Sequence, residues 1–123
     1  MNYLWICLGA VVGASARYFL SGFVARHIAT AFPYGTLLIN ITGSLILGFF
    51  LVYSTERVLL DPRWRLLVAI GFCGSYTTFS SYAFESFALM EQSQWVMMSL
   101  NIALSNVLCL AAVVGGAALA RGL

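Results

Sequence analysis

The hydrophobic pattern along this chain is one of long unbroken runs. Charge-free stretches cover residues 28–55, 66–84 and 92–120, and a fourth candidate, 2–25, is interrupted only by Arg17. A membrane-crossing helix needs about 20 mostly apolar residues. A half-buried strand would alternate apolar and polar positions, and these runs do not alternate. The pattern therefore predicts an all-α membrane protein forming a single domain over 1–123, with four helices spanning roughly 2–25, 34–54, 66–90 and 95–120. Four spans are too few for the eight or more strands of a single-chain bacterial barrel.

The breaks between runs fit this division. Pro33 precedes an apolar run and suits a helix start. Glu56, Arg57, Asp61, Pro62, Arg63 and Arg65 mark a polar connection over 56–65. Glu91 to Gln94 form a short turn, with Trp95 as an interfacial anchor. Ala14-Ser15-Ala16 resembles a signal-peptidase site, but no charged side chain precedes it and Gly9 and Gly13 interrupt the apolar core, so the first run reads as a retained span.

Composition sharpens the class. Of 123 residues, 62% are hydrophobic and 8% charged, against about 25% charged in a soluble domain. The six basic residues, all Arg, are scattered, which speaks against nucleic acid as a partner. With four spans, both termini and the middle loop share one side. That side holds Arg57, Arg63, Arg65 and Arg121; the other holds Arg26, with Arg17 if it snorkels that way. This favours termini inside but leaves mixed insertion open. Cys7, Cys73 and Cys109 read as small buried thiols, and no phosphate loop, metalloprotease motif or nucleophile elbow is present. An enzyme is not expected.

Polar groups at membrane depth usually face a partner or a cavity. Thr36, Asn40 and Ser44 form one stripe at spacing four, and Asn101, Ser105 and Cys109 another, with Asn106 on a different face. These side chains either join helices by hydrogen bonds or line a path. Gly71 to Tyr82 (GFCGSYTTFSSY) has two glycines and a run of hydroxyls in mid-span. Such a segment makes a poor continuous helix, and a break would leave backbone groups to be buried or to face a watery cavity. A kinked but continuous helix is the other reading. Arg17 and Glu85 are the isolated charges within spans one and three, suited to orientation or to pairing with each other. Gly9 and Gly13 form a small-residue face for a close helix contact, within the chain or between subunits.

Three blocks carry a resemblance: Gly13-Ala14-Ser15-Ala16-Arg17-Tyr18, Gly35-Thr36-Leu37-Leu38-Ile39-Asn40 with Gly43, and Gly71-Phe72-Cys73-Gly74 leading into Thr77-Thr78-Phe79-Ser80. In this order and spacing the chain resembles the Fluc/CrcB family of bacterial fluoride channels over nearly its full length. The resemblance implies a third helix broken mid-membrane, an antiparallel dual-topology homodimer in the bacterial inner membrane, and two pores exporting fluoride passively from the cytoplasm. It also implies a central structural Na+ bound by the backbone carbonyls of Gly74 and Thr77. Asn40 and Phe79 would line the anion path, joined by Asn101 and Ser105 on a span-four track. Arg17 and Glu85 match the family's span-one arginine and span-three acid. Tyr82 stands where the family usually has a second phenylalanine, and Cys109 where a hydroxyl is common.

The chemistry agrees with that implication. Fluoride is small and tightly hydrated, so a pore must replace its water with donors such as the Asn40 amide and the hydroxyls of Thr36, Ser80 or Ser105. Aromatic rings carry a positive edge, which Phe79 and Tyr82 can turn toward an anion. Conduction needs weak sequential sites, and an uncharged path suits it. Two carbonyls per subunit leave a sodium ion half-coordinated, so that site requires two chains. A proton-coupled small multidrug transporter and a non-transporting membrane assembly subunit are the competing functions. The first depends on an acid in span one, where this chain has Arg17.

Overall fold

The computed structural model describes residues 1–123 and contains helices and no strands. Helix α1 spans Asn2–His27 and α2 spans Tyr34–Val52, continued by a π-helical turn over Tyr53–Arg57. A helical rod follows: α3 (Pro62–Trp64), a π-helical stretch over Arg65–Cys73, and α4 (Gly74–Tyr76). Helix α5 covers Phe79–Glu91 and α6 covers Trp95–Gly122. Three helices are long and apolar enough to cross a membrane: Asn2–His27, Tyr34–Arg57 and Trp95–Gly122. The fourth apolar run is divided into two shorter helical pieces.

The elements start and stop for local reasons. Asp61 caps α3 by accepting the Arg63 N–H at 2.9 Å, with Pro62 in the first helical position. The polar connection is shorter than charge spacing implied. Glu56 and Arg57 remain helical, coil covers only 58–61, and Pro62 to Arg65 are already in the next helix. Glu91 likewise ends α5 rather than starting the turn, and the tight return to α6 is made with Ser93 at a left-handed φ of 57°.

Packing is organised by two glycine crossings. Helix α1 lies along the 65–73 stretch, and α2 along α6. A Cβ on Gly71 would stand 2.6 Å from the Ile6 carbonyl oxygen, and one on Gly9 would meet the Leu67 carbonyl. At the other crossing, a Cβ on Gly48 would lie 2.9 Å from Val113 Cα, and one on Gly116 2.7 Å from the Phe49 nitrogen. Backbones approach this closely only where side chains are absent, as in membrane helix pairs generally. The Gly9/Gly13 face is thus used inside the chain. Ser75 reinforces it by donating to the Ala10 carbonyl at 3.0 Å.

One end of the bundle collects the N-terminal turn, the 58–61 loop and the C-terminus. Arg121 forks onto Glu56 with both bonds at 3.0 Å, and Arg63 sits 5.6 Å above the Trp5 ring. Large apolar side chains cover the outer surface, among them Tyr3, Val11, Phe19, Leu110 and Val114, each more than half exposed. A surface of that kind belongs against lipid.

Candidate functional site

After Tyr76 the backbone leaves the helix. Thr77 (φ −78°, ψ 155°) and Thr78 (φ −147°, ψ 114°) are extended, and α5 restarts at Phe79. Local chemistry supports each edge. Thr77 Oγ1 donates back to the Cys73 carbonyl at 2.8 Å, closing the end of α4. Thr78 Oγ1 accepts the Ser81 N–H at 3.2 Å and caps α5. Gly43 admits this segment beside α2, because a Cβ there would collide with the Thr77 methyl.

Asn40 holds the interruption from across the bundle. Its Oδ1 accepts the Thr78 N–H at 2.8 Å and its Nδ2 donates to the Thr78 carbonyl at 3.1 Å. In a continuous helix the Thr78 N–H would have bonded the Gly74 carbonyl. That carbonyl loses its helical donor, and the Thr77 carbonyl receives no hydrogen bond from the chain. Half of the Asn40 amide's capacity, one N–H and one lone-pair direction, is unspent.

Arg17, on α1, donates Nε–H to the Ser75 carbonyl at 3.0 Å, at the C-terminal end of α4. A cation at a helix C-terminus is favourably placed against the dipole. Glu85 is not its partner: the Glu85 carboxylate accepts the Thr36 hydroxyl at 2.6 Å, and the ion pairs in the chain are Arg63–Asp61 and Arg121–Glu56. The pairing of Arg17 with Glu85 allowed by the sequence is therefore replaced by two separate attachments. The two residues hold different ends of different elements, Arg17 the terminus of α4 and Glu85 the α2–α5 contact.

An open groove of about 380 Å³ runs along the interruption. Asn40, Thr77, Phe79, Tyr82 and Ser105 line it, and no charged residue does. Ser44, Thr78, Asn106 and Cys109 join the lining, although spacing had set Asn106 apart from the α6 stripe. Phe79 and Tyr82 stand one turn apart with ring centroids 5.4 Å apart and planes tilted by 58°, so ring edges as well as faces are presented. Asn101 is buried below this lining: it donates to Ser86 Oγ at 2.9 Å, and Ser105 Oγ bonds to Asn101 Oδ1 at 3.4 Å. Thr36 and Glu85 border a separate cavity of about 490 Å³ near the α1–α2 connection. Ser80 and Gly74 are exposed and lie outside both cavities. The sequence-predicted residues thus divide between a groove, a polar support behind it and a second cavity, with Ser80 and Gly74 on the surface outside all three.

Fold and site together define a multi-pass, all-helical membrane protein with an uncharged polar groove beside an interrupted helical run. Comparison with known proteins places it further. Residues 4–117 match the family described as CrcB-like protein, Camphor Resistance (CrcB), and the chain belongs to that family. It is 62% identical over 122 residues to a protein of Koribacter versatilis named "Fluoride-specific ion channel FluC", an alignment covering 99% of this chain and 97% of that one. Proteins of the same name from Sulfurihydrogenibium sp. and Methylocella silvestris are 45% identical, the first over 98% of this chain and 97% of its own, the second over 92% and 88%. The family is one of channels and not of enzymes.

Proposed function

We propose that this chain is a fluoride channel of the bacterial inner membrane, exporting fluoride from the cytoplasm by passive flow. Supporting this are the family membership and the chemistry of the groove, which offers donors and ring edges without a fixed charge. The carrying observation is Asn40: its carboxamide fixes the peptide of the interruption with two bonds and keeps one N–H for an anion. Desolvating a small halide is costly, and conduction requires that each replacement contact be weak enough to release it. Asn40, Phe79, Tyr82 and Ser105 would offer successive contacts, with Asn101 holding Ser105; Thr36, whose hydroxyl hydrogen is spent on Glu85, and Ser80 stand outside the groove. Arg17 supplies a positive potential near the path, and Glu85 fixes α5 to α2.

In this reading the chain is one domain crossing the membrane four times, the third crossing made by the 62–76 rod and α5 with the interruption between them. Two copies inserted antiparallel would form a homodimer with two pores. A structural Na+ fits the residues present. The Gly74 and Thr77 carbonyls are released from helical pairing, and Gly74 lies on the exposed surface of the subunit. Carbonyl oxygen is a hard donor suited to a hard cation. The Gly74 and Thr77 carbonyls of each copy would hold the ion, which would offset the partial negative charge on their oxygens.

The test is fluoride release from sealed liposomes holding the purified protein, read with a fluoride electrode while an ionophore balances charge. Fluoride efflux well above that of chloride is expected. Folded protein that releases no fluoride overturns the reading.

A further inference from the structure

Tyr82 and Asn106 face one another across the groove, and the amide of Asn106 fixes which way the tyrosine proton points. Asn106 Nδ2 donates to the Ile102 carbonyl at 2.7 Å. A carbonyl only accepts, so the amide cannot be reversed without setting two oxygens against each other. The same nitrogen lies 3.4 Å from the Tyr82 hydroxyl oxygen. Its two hydrogens are therefore spent on Ile102 and Tyr82, and the tyrosine oxygen is the acceptor. A phenol has one hydrogen to donate, and no acceptor in the chain receives it. Tyr82 and Asn106 both line the groove that also holds Asn40, Phe79 and Ser105.

We infer that Asn106 and Tyr82 form a hydrogen-bond-donating station in the groove: Asn106 is a positioning residue that occupies the phenol oxygen and turns the Tyr82 O–H toward a passing anion. The inference rests on the fluoride-channel reading and deepens it. A ring at this place contacts an anion only by its weakly positive edge, whereas an oriented O–H replaces one water of the hydration shell outright. Donation from Asn106 also polarises the phenol and strengthens its own donation.

The experiment compares fluoride efflux from liposomes at sub-saturating fluoride for the full-length chain, Tyr82→Phe, Asn106→Leu and the double variant. A hydrogen bond to a charged group corresponds to roughly a ten- to hundredfold effect, so Tyr82→Phe is expected to lower efflux by about tenfold or more. Asn106→Leu is expected to lower it severalfold in the Tyr82 protein and to change nothing once Tyr82 is Phe. A merely structural Asn106 would act equally in both backgrounds, and that result overturns its positioning role. Unchanged efflux in Tyr82→Phe overturns the station. A parent protein that releases no fluoride overturns the channel reading itself, so the two failures are distinguishable. Melting temperature and elution volume, matched to the parent, identify variants that fold; if Asn106→Leu does not, Asn106→Ala serves in the same cycle.

Discussion

The Asn40 carboxamide and the Thr78 peptide satisfy each other's N–H and carbonyl, 38 positions apart in sequence. Asn40→Leu would leave both Thr78 groups without partners, at about 1–3 kcal/mol for each; a clear drop in melting temperature in detergent is expected. Asn40→Asp can still accept from the Thr78 N–H but cannot donate to its carbonyl, and it places a negative charge in the groove. A sharp fall in fluoride efflux is expected, larger than any change in melting temperature. Asn40 itself was legible in the sequence, as the central member of the Thr36–Asn40–Ser44 stripe. Its partner was not, because a backbone N–H becomes available only once the helix is interrupted, and spacing within one helix says nothing of that. Asn106 was missed for a related reason: helical spacing separates it from Ser105 and Cys109, but a groove is wider than one residue stripe and is completed by Tyr82 from α5. Glu85 and Arg17 each found a neutral partner where opposite charge alone suggested a pair.

At the scale of elements, long apolar runs were sufficient to locate α1, α2 and α6, since a lipid-facing helix needs little more than continuous hydrophobicity. The stretch over 65–73 is as apolar, but nothing in its sequence marks the π-helical register, and the loop over 58–61 proved shorter because charged residues at helix ends remain helical when capped or paired. The glycine crossings lead to a sharp contrast. Gly116→Val puts side-chain atoms into the α2 backbone and is expected to prevent stable folding, seen as loss of a monodisperse peak in detergent. Gly22→Ala meets nothing within 4 Å and is expected to be neutral or to stabilise by about 0.5–1 kcal/mol through helix propensity. The α3 cap gives a pH dependence. The Arg63 side chain, followed by its N–H, holds the Asp61 carboxyl below its ordinary pKa. The cap's contribution is therefore complete above the usual carboxylate range and is lost as pH falls through the lowered value. Melting temperatures of the parent and Asp61→Asn should differ at neutral pH and converge under strongly acid conditions.

At the scale of the molecule, the bundle was readable as a class from composition and as a family from three short blocks, which the comparisons establish. Its assembly is a proposal that the Gly74 surface makes testable. Gly74→Val has room within the subunit, where a Cβ meets a single atom 3.9 Å away. If this surface faces a second copy across a shared cation, the variant should fold yet show a reduced share of the two-chain species in light scattering; an unchanged dimer would remove Gly74 from the seam. Ion preference tests the account most directly. In a planar bilayer with fluoride on one side and chloride on the other, the account predicts a current whose reversal potential follows the fluoride gradient. A reversal potential indifferent to fluoride, or set by chloride, would contradict it.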